Sequence, residues 1–117
     1  MVKPTINQML AKIRKFRDAR DWMQFHDPKN MAISIILEAS ELLENFQWKS
    51  KNEVVEYIKS HKKEVEEEIA DIAMYLFELS DILDINLLSA MDKKLKKNAK
   101  KYPVRKAKGK HTKYTKL

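Results

Sequence analysis

Apolar residues recur along this chain at intervals of three and four, the spacing that gathers them on one side of an α-helix. Ile6, Met9, Leu10, Ile13 and Phe16 form the first such stripe. Thr5, followed by Gln8 three residues on, has the form of a capping box, so the pattern predicts a helix over 5–21. The segment 22–29 reads as a connection, because Pro28 disfavours helical geometry at Asp27. Asn30 is the expected cap of a second helix that carries Ile33, Ile36, Leu37 and Phe46 and ends near Gln47. A polar break at 49–52 and a short amphipathic piece at 53–59 follow. The longest helix is expected over 61–83, with Val65, Ile69, Ile72, Tyr75, Leu76 and Leu79 as its core face. Residues 84–86 interrupt the pattern, and a last helix over 87–101 is stopped by Pro103. From Val104 onward no periodicity is visible.

Four main helices joined by short loops imply an all-α fold of the four-helix-bundle type. Composition agrees: one Gly and three Pro are too few for the tight turns of an all-β chain. With 117 residues the chain is one domain's worth, expected to divide into a helical domain 1–103 and a basic tail 104–117 that docks on the domain or on a partner subunit. The apolar faces of the second and third helices exceed what so small a chain can cover, which makes a homodimer the expectation. No run of about 20 apolar residues is present, so no membrane span is expected. The N-terminus lacks an apolar signal region, and a cytoplasmic location is expected. The absence of Cys excludes disulfides, zinc ribbons and thiol nucleophiles.

The formal charge of +7 conceals an asymmetry. Residues 1–92 carry 12 Lys/Arg against 17 Asp/Glu, whereas residues 93–117 carry 12 Lys/Arg and no acid. A basic end on an acidic body suits a polyanionic partner: nucleic acid, a nucleotide's phosphates, or the protein's own acidic face. Composition alone, however, favours a solvated, partly disordered end.

The clearest chemistry lies in two short motifs. The second helix contains Glu38-Ala39-Ser40-Glu41 and the third Glu68-Ile69-Ala70-Asp71. Residues three apart share a helix face, so each motif aims two carboxylates the same way. If the two faces meet, four anions converge in a partly apolar interior, a costly arrangement that divalent cations resolve. Oxygen ligands without His or Cys suit Mg²⁺ or Mn²⁺ better than zinc. Aromatics gather at loops and helix ends: Trp22, Phe25 and His26 before the second helix, Trp48 after it, and Tyr75 one turn beyond Asp71. Such positions allow a flat base to stack while polar groups read its edge, although buried aromatics are more usually core.

Several blocks of the sequence together resemble the MazG-like nucleoside triphosphate pyrophosphohydrolases. They are Arg20-Asp21-Trp22-x-x-Phe25-His26-x-Pro28-Lys29-Asn30, Glu38-x-x-Glu41-Leu42-x-x-x-Phe46-Gln47-Trp48, Glu67-Glu68-Ile69-x-Asp71-Ile72-x-x-Tyr75-Leu76 and Lys94-x-x-x-Asn98-x-x-x-Tyr102-Pro103. Within that family the chain looks most like the dCTP pyrophosphatase branch, and the likeness reaches Lys113-Tyr114-Thr115. The resemblance implies an all-α dimer or dimer of dimers that uses Mg²⁺ to cleave a nucleoside triphosphate between its α- and β-phosphates. By matching position it makes Glu38, Glu41, Glu68 and Asp71 the metal ligands, with Glu41 the candidate to orient or deprotonate the attacking water. Trp22, His26, Asn30, Trp48 and Tyr75 match positions in or beside the base pocket, and Lys94, Asn98 and Tyr102 positions near sugar and phosphates. Ile13 stands where one branch of the family carries a His. An enzymatic role for the Lys-rich last helix leaves a nucleic-acid-binding or regulatory module without turnover as the alternative reading.

Overall fold

The computed structural model of the chain describes residues 2–117. Its regular elements are five α-helices: α1 (Ile6–Asp18), α2 (Pro28–Glu44), α3 (Lys51–Ile82), α4 (Leu87–Lys101) and α5 (Val104–Ala107). Single 3₁₀ turns occur at Met23–Phe25 and Tyr114–Lys116, and no strand is present among the described residues. The fold is therefore all-α; α5 has no counterpart in the periodicity. The chain forms two compact units, one ending at Asp84 and one spanning Ile85–Leu117.

Local chemistry explains where the helices of the first unit begin and end. Both bonds of the expected capping box open α1, with Gln8 N–H donating to Thr5 Oγ1 at 3.1 Å and Thr5 N–H to Gln8 Oε1 at 2.9 Å. α1 stops three residues before the expected Asp21, which takes the left-handed conformation at φ 54. Asp27, not Asn30, caps α2: its Oδ1 accepts the Asn30 N–H at 2.9 Å. Pro28 forces Asp27 out of helical geometry, and the resulting extended backbone (φ −78, ψ 162) is what a capping residue requires. α2 ends at Glu44, short of Gln47, and the connection turns through Trp48 at φ 69. Ser50 and Glu53 form a second capping box.

The pieces expected at 53–59 and 61–83 are one 32-residue helix, α3, kinked at His61 (φ −126, ψ 25). The His61 ring stacks flat on Tyr57 with centroids 4.1 Å apart, and its Nδ1 lies 3.1 Å from the Tyr57 carbonyl oxygen. The change of helix direction there is what made the apolar stripe read as two segments.

α2 and α3 pack as an antiparallel pair, and α1 lies along the C-terminal half of α3. Two ion pairs fix that second contact: Arg14 grips Asp81, with Nε to Oδ2 at 2.8 Å, and Arg17 reaches Glu78. The fully enclosed apolar core is small, with Ile13 from α1, Met31 from α2 and Val65 from α3. Ile33, Ile36, Leu37 and Leu43 on α2, and Ile69 and Leu76 on α3, stay exposed. The expected core faces are thus only partly covered by the chain itself.

In the second unit, Asn86 Oδ1 caps α4 by accepting the Ser89 N–H at 3.0 Å. Pro103 leads into α5, whose four residues are too few to leave a periodic signal. Tyr114 packs edge-on against Tyr102 with centroids 5.9 Å apart, and Lys101 Nζ sits 4.7 Å above the Tyr114 ring.

Met31 is 1% exposed, the most enclosed large side chain among the described residues. Met31→Ala should destabilise the protein by roughly 2–5 kcal/mol, read as a lower midpoint in urea unfolding at unchanged slope.

Candidate active site

The antiparallel register of α2 and α3 sets the acids opposite one another. As positions on α2 descend through Glu41, Glu38 and Ser34, those influencing them from α3 ascend through Glu68, Asp71 and Tyr75. Glu38, Glu41 and Glu68 each offer a carboxylate oxygen, and these atoms lie within 4.8 Å of one another. Asp71 stands outside that tightest group but close enough to act electrostatically on both Glu38 and Glu68. The two motifs therefore do face each other across one helix pair.

The arrangement is unfavourable as it stands. Burial, then a shared hydrogen bond with Glu41 and the charges of Glu41, Asp71 and Glu68, push Glu38 up to about 7. Glu68 is raised too, by burial first and then by Glu41. Glu38 Oε2 and Glu68 Oε2 are buried without any hydrogen-bond partner. Buried polar atoms are almost always satisfied, so two orphaned carboxylate oxygens in one cluster fit a bound hard cation with oxygen ligands. Glu38 and Glu68 are half-buried while Glu41 is exposed, so Glu41 is the acid with most access to solvent.

Beside the cluster lies a cavity of about 410 Å³ whose wall includes Glu38, Asp71, Trp22, His26 and Tyr75. Its volume suits a small organic ligand. Ile13, Phe16 and Met74 supply apolar surface, and Phe16 meets Trp22 edge-on at 5.7 Å. Burial, followed by the Glu38 charge, raises the Tyr75 hydroxyl. His26 is held at its ring: Nδ1 lies 2.5 Å from Glu78 Oε1, and Arg17 Nη1 approaches the same oxygen at 3.5 Å. Glu78 is only 5% exposed and Arg17 is also buried. Neither was singled out from the sequence. The available signal was spacing, since Asp71, Tyr75 and Glu78 follow one another at four and three on α3 and share its inner face.

The remaining candidates lie elsewhere. Asn30 spends its side-chain N–H groups on the Phe25 carbonyl at 3.2 Å and Asp27 Oδ2 at 2.8 Å, and so holds the loop that carries His26. Trp48 is 91% exposed and does not line this cavity. Lys94, Asn98 and Tyr102 belong to the second unit, where Lys94 and Asn98 lie one turn apart on α4 and Tyr102 follows its last residue.

Carboxylates gathered without His or Cys on an all-helical scaffold, next to an aromatic-walled cavity, define an all-α protein with a candidate site for a hard cation beside a ligand-sized cavity. The comparisons with known proteins are more particular. The MazG-like family model matches residues 33–117, and the chain belongs to that family of nucleotide pyrophosphatases. It is 33% identical over 117 residues to dCTP pyrophosphatase 1 of Mus musculus and 34% to that of Rattus norvegicus, covering 98% of this chain and 69% of each relative. The crystal structure of a pyrophosphatase from Archaeoglobus fulgidus superposes with a TM-score of 0.82 at 45% identity, covering 88% of this chain and 96% of that one.

Removing one charge from the cluster should stabilise the metal-free protein. A carboxyl raised from near 4.5 to about 7 contributes stability that is complete below its unfolded value and is lost as pH rises through 7. Glu38→Gln should flatten that decline and melt higher than wild type at pH 8 in EDTA. Added Mg²⁺ should raise the melting temperature of wild type more than that of the variant.

Proposed function

We propose that this protein is a Mg²⁺-dependent pyrophosphohydrolase that cleaves dCTP, or a related or modified pyrimidine nucleotide, to the monophosphate and pyrophosphate. The observation that carries this reading is the pair of buried, partnerless oxygens on Glu38 and Glu68 at the edge of the aromatic-walled cavity. The relatives named for dCTP give the nucleotide. Glu38, Glu41, Glu68 and Asp71 hold the metal, Mg²⁺ or, in its place, Mn²⁺. When bound, the cation supplies positive charge against the triphosphate oxygens and makes a water more acidic.

The chain's own groups do the rest. Glu41, the exposed acid of the cluster, orients the attacking water and takes its proton. The half-buried Glu38 and Glu68 stay as fixed oxygen donors, which keeps the reacting phosphate at one distance from Glu41. Trp22 and Tyr75 bound the space for the base, and His26 reads its edge. Asn30 keeps the His26 loop in place through its bonds to Phe25 and Asp27. Trp48, held on a left-handed backbone and exposed to solvent, offers a face on which a base could stack. Lys94 and Asn98 share one face of α4 and contact phosphates and sugar, with Tyr102 beside them. The charge of Lys94 stabilises the departing pyrophosphate.

Pyrophosphate released from dCTP, converted to phosphate by added pyrophosphatase and measured with and without Mg²⁺, tests the activity. Wild type should turn over only with the metal, giving the monophosphate as the other product. Glu38→Ala and Asp71→Ala should each lower kcat/KM by at least about 100-fold while remaining folded. Near-wild-type turnover by both at saturating Mg²⁺ would rule the four-carboxylate site out.

The same enzyme works as a homodimer or a dimer of dimers. Ile33, Ile36, Leu37 and Leu43 on α2 and Ile69 and Leu76 on α3 present apolar surface to solvent, and a second copy covers it. Sedimentation at micromolar concentration should give a mass at least twice the 13.9 kDa of the chain, and a clean monomer would exclude this assembly.

A further inference from the structure

Glu78 and Arg17 are buried charges that the proposed hydrolysis does not use. Both line the cavity, Glu78 from α3 one turn beyond Tyr75 and Arg17 from α1. A carboxylate there is costly unless it is paired and hydrogen-bonded, and Glu78 has both conditions met at one oxygen. Its Oε1 lies 2.5 Å from His26 Nδ1 and 3.5 Å from Arg17 Nη1. Arg17 is fixed in turn by its Nε, which donates to Asp18 Oδ1 at 2.8 Å. The result is a chain of contacts running from α1 through α3 to the loop ahead of α2, ending on one imidazole in the cavity wall.

An ionised carboxylate only accepts hydrogen bonds, so against an ionised Glu78 it is His26 Nδ1 that carries the hydrogen. Arg17 matches the Glu78 charge inside the protein, whereas Asp18 is exposed to solvent, so the ring need not be charged to be held. In the neutral ring, a proton on Nδ1 leaves Nε2 bare, and a bare ring nitrogen is an acceptor. The backbone just before the ring is tied down as well, since Asn30 donates to the Phe25 carbonyl at 3.2 Å. The ring's position is therefore fixed before any ligand arrives, and an ionised Glu78 would favour the tautomer with the proton on Nδ1.

We propose that Glu78 is a positioning residue that locks His26 with its proton on Nδ1, so that Nε2 accepts from an exocyclic amino group and selects amino-bearing over oxo-bearing pyrimidines. This rests on the nucleotide reading above and deepens it, because it names the atom that makes the choice. A 4-oxo base would bring its oxygen against Nε2, two acceptors face to face in a partly buried site. Sites that pair with one polar group reject its opposite far more strongly than apolar pockets reject a difference in size.

The test has two readouts. In wild-type protein labelled with ¹⁵N-histidine, with no nucleotide present, the His26 nitrogen shifts should show a protonated Nδ1 and a bare Nε2. A proton on Nε2, or an imidazolium, would overturn the proposal. With Mg²⁺ present, kcat/KM is then compared for dCTP and dUTP, which differ at C4 only by amino against oxo. Glu78→Gln keeps the side chain's shape, but its amide can either accept or donate, so the tautomer is no longer imposed. The preference for dCTP should fall at least tenfold, mostly through KM, with turnover at saturation largely kept. An equal loss on both nucleotides, or a preference changed by less than twofold, would overturn it. If wild type hydrolyses neither nucleotide, the proposed activity fails, and the nitrogen shifts still decide whether Glu78 holds the ring.

Discussion

Carboxylates drawn partly out of water repel one another across distances at which solvent would have screened them, and α2 and α3 hold the half-buried Glu38 and Glu68 with the exposed Glu41 within 4.8 Å. That repulsion is the constraint around which the first unit is organised. It must be borne by one helix pair and by a thin core of Ile13, Met31 and Val65. The raised Glu38 and Glu68 carboxyls and their orphaned oxygens are two expressions of the same stress. A protein optimised only for stability would not keep it.

The other buried charges of this unit are handled differently. Arg17, Glu78 and His26 satisfy one another, and Arg14 grips Asp81 nearby on the same pair of helices. Ion pairs of this kind contribute modestly to stability, yet they dictate register, because one residue of slip between α1 and α3 would leave buried charges unmatched. The cavity wall thus joins two acids of a mutually repelling cluster, Glu38 and Asp71, to an acid that is matched by Arg17 and His26. The first suits chemistry on phosphates, and the second suits holding a ring still.

The apolar faces extend the same reasoning to assembly. Helices that leave Ile36 at 66% and Leu37 at 59% exposure have not spent their hydrophobic surface within the chain. In the second unit, Tyr102, Tyr114 and Lys101 give the basic tail a fold-back contact of its own, so its charge is carried on an ordered segment.

The sequence by itself determined the helical fold, because three-and-four periodicity and capping chemistry are local. The Thr5 box, the end of α4 and the break at 84–86 needed no tertiary information. It also determined the acidic motifs, since two carboxylates three apart must share a helix face. Local signals failed where two devices competed for one boundary. Asp27 and Asn30 are both good caps, and only the Pro28 geometry decides between them; the His61 kink disguised one helix as two. What the tertiary structure alone decided was which faces meet. The antiparallel register of α2 on α3 brings Glu68 to Glu41, and the packing of α1 on α3 buries Arg17 against Glu78. Contacts 61 residues apart in the chain leave no periodic trace, because their pairing energy depends on burial, and burial is a property of the packed helices.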